Sequence, residues 1–152
     1  MYQRILVPVD NSAPARRALE AAIEMARTTK AKVRLLHVLD ELVFPVGFGT
    51  NTTYAADILP RLRSDAARLL EEARARVVAA GVAVETSLDE CFARRTADVI
   101  LEDARDWGSD LIVIGTHGRR GPSRLFMGSD AELVVRAAQV PVLLVRSDEQ
   151  RP

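Results

Sequence analysis

Leu111-Ile112-Val113-Ile114-Gly115-Thr116-His117-Gly118, with Gly128-Ser129 nine residues later, is the stretch on which the reading of this chain turns. An apolar run stops at Gly115, and a helix-like pattern from Asp130 to Ala138 begins just past Ser129. A strand, a glycine-bearing loop and a helix N-terminus in that order make a place to hold phosphates. The first-turn N–H groups of a helix have no intrahelical partners, and the helix dipole adds partial positive charge there. Glycines let the backbone approach an anion with no Cβ in the way. The stretch is neither of the two familiar phosphate loops. No G-x-x-x-x-G-K-[ST] occurs, which excludes a P-loop NTPase. Gly115, Gly118 and Gly121 are spaced by three, and the loop follows the fourth strand-like run, so the dinucleotide fingerprint fails on spacing and on position.

Working outward, strand-like and helix-like segments alternate. Ile5–Val9 is an apolar, β-branched run. Ser12 is placed to cap the next helix, with Pro14 in its first turn, where a missing N–H is harmless. Ala18, Leu19, Ala22, Ile23 and Ala26 give that helix one apolar stripe. Val33–Leu39 reads as a second buried strand. The connection from Asp40 to Thr53 is long against the usual ~2–6 residues. A second helix is expected from about Leu59 to Ala80, with Gly81 as its left-handed stop. Val82–Leu88 reads as strand three and Thr96–Trp107 as helix three, with Thr96 as its cap and Gly108 as its stop. Leu111–Ile114, Ser129–Ala138 and Val142–Val145 complete a β-α-β-α-β-α-β-α-β chain. Consecutive βαβ units predict an α/β fold: a single doubly wound, mostly parallel five-stranded sheet with helices on both faces. No linker or internal repeat divides the chain, so residues 1–152 are expected to form one domain.

Bulk composition narrows the function classes. The chain has 152 residues, 48% hydrophobic and 28% charged, with zero formal net charge. That is ordinary globular composition, large enough for a core. Zero net charge gives no electrostatic argument for a nucleic acid or an acidic membrane. Cys91 is the only cysteine, which excludes an internal disulfide and a cysteine-cluster metal site and suits a reducing cytoplasm. The N-terminus enters a strand at once, with no signal-peptide pattern, and no apolar run approaches the ~20 residues that span a bilayer. The expectation is a cytoplasmic protein without membrane insertion.

Several residues admit both a chemical and a plain reading. Gly118 and Gly128 bring backbone amides to phosphates, or serve a turn and a helix start. Ser129 donates to a phosphate oxygen, or acts with Glu132 as a capping box. Asp10 either stands beside a ligand or is a turn aspartate ahead of Ser12. A carboxylate with one or two phosphates, completed by water, is how Mg²⁺ is usually held. Arg119, Arg120 and Arg124 neutralise phosphates or are solvated loop arginines, Arg119 being the best placed. His37, inside an apolar strand, reads as structural, and His117 receives no catalytic role.

The spacing Gly115-x2-Gly118-x9-Gly128-Ser129 resembles the nucleotide-binding signature of the universal stress protein family. Arg4 to Ser12 resembles that family's first strand and turn, Leu35 to Asp40 its second strand, and Pro141 to Arg146 its last, so the resemblance covers the whole chain. It implies strand order 3-2-1-4-5 in a Rossmann-like sheet, with the ligand at the switch point between strands one and four. It implies ATP as the ligand, accompanied by Mg²⁺ at Asp10. Pro8 and Val9 would line the adenine and ribose pocket and Val38 would offer backbone groups to the adenine edge. Gly115, Gly118, Arg119, Gly128, Ser129 and Asp130 would surround the phosphates. It also implies a homodimer paired through strand 142–145.

Two departures stand out. Arg94-Arg95-Thr96 replaces the family's Gly-Asp-Pro-like turn before helix three. Asp130 replaces a small or apolar residue. Its carboxylate suits the first helical turn but repels a nearby triphosphate by about 1–4 kcal/mol, depending on screening.

The expected function is an ATP-binding regulatory module of the stress response with little turnover, acting on an unidentified protein partner. No acidic or Gln residue is placed by motif to activate an in-line water. The alternatives are a slow ATPase on the same site and a dimeric scaffold whose nucleotide site has lapsed. A phosphoacceptor receiver domain needs a lysine after strand five, where Arg146 stands.

Overall fold

The computed structural model describes residues 1–39, 52–90, 94–116 and 127–146. Five short runs become parallel strands: β1 (Arg4–Pro8), β2 (Lys32–Val38), β3 (Val84–Asp89), β4 (Leu111–Gly115) and β5 (Val142–Val145). Four helices connect them: α1 (Ala13–Thr29), α2 (Thr52–Ala79), α3 (Thr96–Trp107) and α4 (Ser129–Ala137). The sheet order is β3-β2-β1-β4-β5 and every pairing is parallel, as expected.

Parallel strands buried on both faces read as continuous apolar runs, because successive side chains point to opposite sides. Ile5, Val7, Val33, Leu35, Leu111 and Val113 pack with Leu19 and Ala22 of α1 and Leu70 and Val77 of α2. Leu6, Leu36, Ile112 and Ile114 pack on the other face with Val99 and Ile100 of α3 and Ala131 and Val134 of α4. Leu6 and Ile112 are fully buried, so cutting either to Ala costs about 2–5 kcal/mol.

The edge near β3 is polar on the α3 side. Arg34 lies 3.1 Å from Asp103 and 3.2 Å from Glu85, and Glu85 also pairs with Lys32. The Trp107 indole N–H donates to Glu85 at 3.0 Å, and the Arg34 guanidinium stacks 5.1 Å from the Trp107 ring centre.

Helix boundaries follow local chemistry, with corrections to the sequence reading. Ser12 caps α1, its Oγ accepting from the Ala15 N–H at 3.2 Å. Gly81 and Gly108 adopt left-handed φ of 72° and 68° as expected; α1 ends instead on Lys30 at φ 61°, which composition does not announce. α2 begins at Thr52, seven residues before the expected start at Leu59, and runs through Pro60. Proline removes one N–H donor, and the helix is long enough for its other turns to continue across the gap. β3 runs over Val84–Asp89 rather than Val82–Leu88.

The cap of α3 is Arg95, not Thr96, and no side chain caps it. The turn ahead of it is held by charge: Arg94 pairs with Asp89 at 3.1 Å and with Glu102. The capping box expected at Ser129 is not formed. Gly128 is the cap residue, Ser129 is the first residue of α4, and Glu132 pairs with Arg136 at 2.7 Å. A serine one position inside the helix lacks the extended φ/ψ from which a cap side chain reaches back to the N–H groups.

Candidate functional site

Because all five strands are parallel, their carboxyl ends lie along one edge. Pro8 ends β1, with Val9 and Asp10 following; Val38 ends β2; Gly115 ends β4; Gly128 precedes α4. Backbone bonds join these ends into a row. The Val9 N–H donates to Leu36 at 2.8 Å. The Thr116 N–H donates to Val145 at 2.9 Å, and the Thr116 carbonyl accepts from the Gly128 N–H at 2.8 Å.

The row opens between β1 and β4. The β1–β2 register continues to Pro8↔Leu36, and β4–β5 to Gly115↔Val145. The β1–β4 register covers only Ile5↔Leu111 and Leu6↔Ile112. The carboxyl halves of the two central strands thus follow their outer neighbours and are not paired with each other. Pro8 has no N–H to donate across that gap. This is the switch point of the sheet, where α/β proteins form their ligand crevice.

Gly115 is needed for packing. A Cβ there would fall 2.7 Å from the Pro14 carbonyl carbon and 2.9 Å from the Ala15 nitrogen. The glycine lets the first turn of α1 lie against the end of β4. Asp10 accepts the Ser12 N–H on Oδ1 at 2.8 Å, an Asx turn feeding the α1 cap. The plain reading of Asp10 is therefore realised, and it leaves the carboxylate charge at the crevice edge.

At α4 the first intrahelical bond runs from the Glu132 N–H to the Gly128 carbonyl at 2.9 Å. The Gly128 N–H is spent on Thr116, so it is not itself among the donors of the first turn. Gly118 and Arg119, together with His117, Arg120 and Arg124, lie outside the described residues. Thr116, 6% exposed, was missed by the sequence reading. Its role is carried by its backbone, for which threonine has no signature.

His37 is buried in β2 as expected, and its Nδ1 lies 2.8 Å from the Val9 carbonyl. Among the described residues no group of three His, Cys, Asp or Glu side chains gathers to hold a metal. A magnesium ion fits beside Asp10 only as the partner of phosphate oxygens and water, with one carboxylate from the protein.

An open concavity of about 740 Å³ lies at the opposite end of the sheet, lined by Glu24, Arg27, Lys30, Gly81 and Val82. The carboxyl ends of α1 and α2 meet there, where Arg27 and Lys30 offset the negative ends of the helix dipoles. Among the described helices none is long and apolar enough to cross a membrane.

The fold and this edge define a parallel α/β protein with its crevice at the β1–β4 switch point. Residues 1–146 match the Universal stress protein family, and the chain belongs to that family. It is 30% identical to universal stress protein YxiE of Bacillus subtilis, over 96% of this chain and 100% of that protein. Universal stress protein UspA from Lactobacillus plantarum superposes with a TM-score of 0.82 at 25% identity, covering 95% of this chain and 98% of the other. The universal stress protein from Archaeoglobus fulgidus, solved in complex with dAMP, matches with a TM-score of 0.66 at 29% identity, covering 95% and 98%. Another universal stress protein, solved in complex with cAMP, matches at 0.66 and 25% identity, covering 96% and 98%.

Proposed function

We propose that this protein binds an adenine nucleotide, ATP with Mg²⁺, in the β1–β4 crevice and serves as a regulatory module of the stress response in the cytoplasm. The observation that carries the reading is the parting of β1 from β4 beyond Leu6 and Ile112, beside the first turn of α4. Relatives solved with dAMP and cAMP support an adenine ligand.

The base and ribose lie along Pro8, Val9 and Val38. Asp10 holds the ribose or the phosphate-borne Mg²⁺. The phosphates meet the amides of Ser129 and Asp130 and the Ser129 hydroxyl, with Gly118 and Arg119 as further phosphate contacts. The Asp130 carboxylate opposes this anion, and arginines of the loop offset it. Turnover is slow, because no motif places a base for an attacking water. The output is a nucleotide-dependent surface for a protein partner.

β5 is proposed as a homodimer edge. It has a sheet neighbour on one side only, and Leu143 is 37% exposed. The opposite edge strand, β3, carries Glu85, Thr86, Ser87 and Asp89 instead.

The test is to purify the protein without added nucleotide, denature it and identify what is released. ATP near one per chain supports the reading. Mostly ADP moves it to a slow ATPase. An empty protein that ignores Mg-ATP leaves a scaffold with a lapsed site.

A further inference from the structure

The Val9 carbonyl has an unusual partner. Val9 follows the last residue of β1, and its N–H still joins the β2 ladder through Leu36 at 2.8 Å. Its carbonyl is met instead by a side chain, the Nδ1 of His37 at 2.8 Å. A carbonyl oxygen only accepts, so Nδ1 carries the proton. His37 is 5% exposed and Val9 7%, so the bond is shielded from water and has one geometry.

That bond fixes the plane of the Val9–Asp10 peptide. In a trans peptide the C=O and the following N–H point in opposite directions. With the Val9 carbonyl turned to β2, the Asp10 N–H points away from β2. The neighbour of β1 on that side is β4, so this amide is directed toward the crevice. The same peptide sets where the Asp10 side chain starts, and Asp10 is tied onward to the α1 cap through Ser12 at 2.8 Å.

We infer that His37 is a positioning residue: through the Val9 carbonyl it orients the Val9–Asp10 peptide so that the Asp10 amide and carboxylate are presented to a nucleotide in the β1–β4 crevice. The inference rests on the nucleotide reading above. Losing the bond frees the peptide to rotate, and a preorganised donor worth about five- to tenfold in affinity is lost.

The experiment compares wild type, His37→Leu and His37→Asn. Leucine keeps most of the volume and removes the donor. Asparagine places an amide N–H near the position of Nδ1. Affinities for AMP and for Mg-ATP are measured by calorimetry, thermal stability is measured in parallel, and the wild-type His37 tautomer is read by ¹⁵N NMR. The expected results are a protonated Nδ1, binding weakened about five- to tenfold in His37→Leu, and recovery to within about threefold of wild type in His37→Asn. A shift of the Asp10 amide resonance in His37→Leu and its return in His37→Asn mark orientation as distinct from core packing. Wild-type binding with His37→Leu unchanged overturns the positioning role and leaves the nucleotide reading standing. So does a loss in His37→Asn as large as in His37→Leu, or a bare Nδ1. Should His37→Leu fail to fold, the His37→Asn affinity and the tautomer decide alone. Wild type that binds neither nucleotide removes both readings together.

Discussion

The Gly128 N–H donates to the Thr116 carbonyl at 2.8 Å, and this one bond sets where α4 begins relative to the end of β4. Thr116 is itself anchored to β5 through Val145 at 2.9 Å. The start of α4 is therefore referenced to the sheet, and its first-turn amides stand at a fixed place along the crevice.

Gly128 has φ −61° and ψ 149°, which any L-residue adopts, so glycine is not required there by backbone conformation. Serine is also a good cap residue. Gly128→Ser is expected to change unfolding free energy by no more than about 0.5 kcal/mol. It is expected to weaken nucleotide binding at least about tenfold, through the Cβ it places at the phosphates. Calorimetry and denaturant unfolding of the same sample decide it; unchanged affinity removes the close backbone approach from the proposal.

Gly115 makes the opposite case. A Cβ there meets Pro14 and Ala15 backbone at 2.7 and 2.9 Å, and neither can swing aside as a flexible side chain would. Gly115→Ala is expected to cost about 1–3 kcal/mol in chemical unfolding. A variant as stable as wild type would show that α1 shifts freely against β4.

Mg²⁺ is expected to bind with nucleotide and not alone, because among the described residues no group of three His, Cys, Asp or Glu side chains gathers to hold it without phosphate oxygens. Chelation should weaken ATP binding at least about tenfold and leave AMP binding nearly unchanged. Asp10→Asn keeps an acceptor for the Ser12 N–H and should reproduce the chelation effect without unfolding. Tight Mg²⁺ binding to the nucleotide-free protein would contradict this arrangement.

Asp103 carries a pH signature. Burial, the largest influence, pushes its carboxyl above the ordinary 3.8, while the charge and bond of Arg34 and the Ser87 bond pull it down. The folded chain thus holds this proton to higher pH than the unfolded chain. Asp103's contribution to stability falls as pH rises from the ordinary value through the raised one, and is regained on acidification. Arg34→Met removes the cation and should raise the Asp103 midpoint further in a ¹³C carboxyl titration, extending that window upward. A midpoint that stays or falls would show that Arg34 does not hold the carboxyl down.

Leu143→Lys places a charge at the exposed position of the edge strand β5. Light scattering at tens of micromolar should report a dimer for wild type and a monomer for the variant, with far-UV circular dichroism unchanged. A wild-type monomer removes the edge-pairing proposal.

The alternation of apolar β-branched runs with amphipathic stripes was enough to read the parallel α/β class, because burial of a strand on both faces leaves a continuous apolar run and burial of one helix face leaves a stripe, and local sequence carries both. Ser12, Gly81 and Gly108 marked helix ends for the same reason: caps and left-handed stops are local chemistry. Strand order came with the family resemblance, since pairing between β1 and β4 is not encoded in either run by itself. The start of α2 at Thr52 lies before the expected Leu59, because the apolar stripe on which the expectation rested begins only at Leu62. Ser129 was misread as a cap because a capping box and a first-turn serine differ by one residue in sequence.

Tertiary structure alone decided the rest. That Gly115 is held by Pro14, that the Gly128 amide is spent on Thr116, and that the His37 ring meets the Val9 carbonyl are contacts between distant segments. Each depends on backbone direction at a strand end, which residue identity does not specify. From the chain of letters came the fold and the row of residues at its carboxyl edge; the three-dimensional packing settled how those residues are tied to one another, because each tie joins segments far apart in the chain.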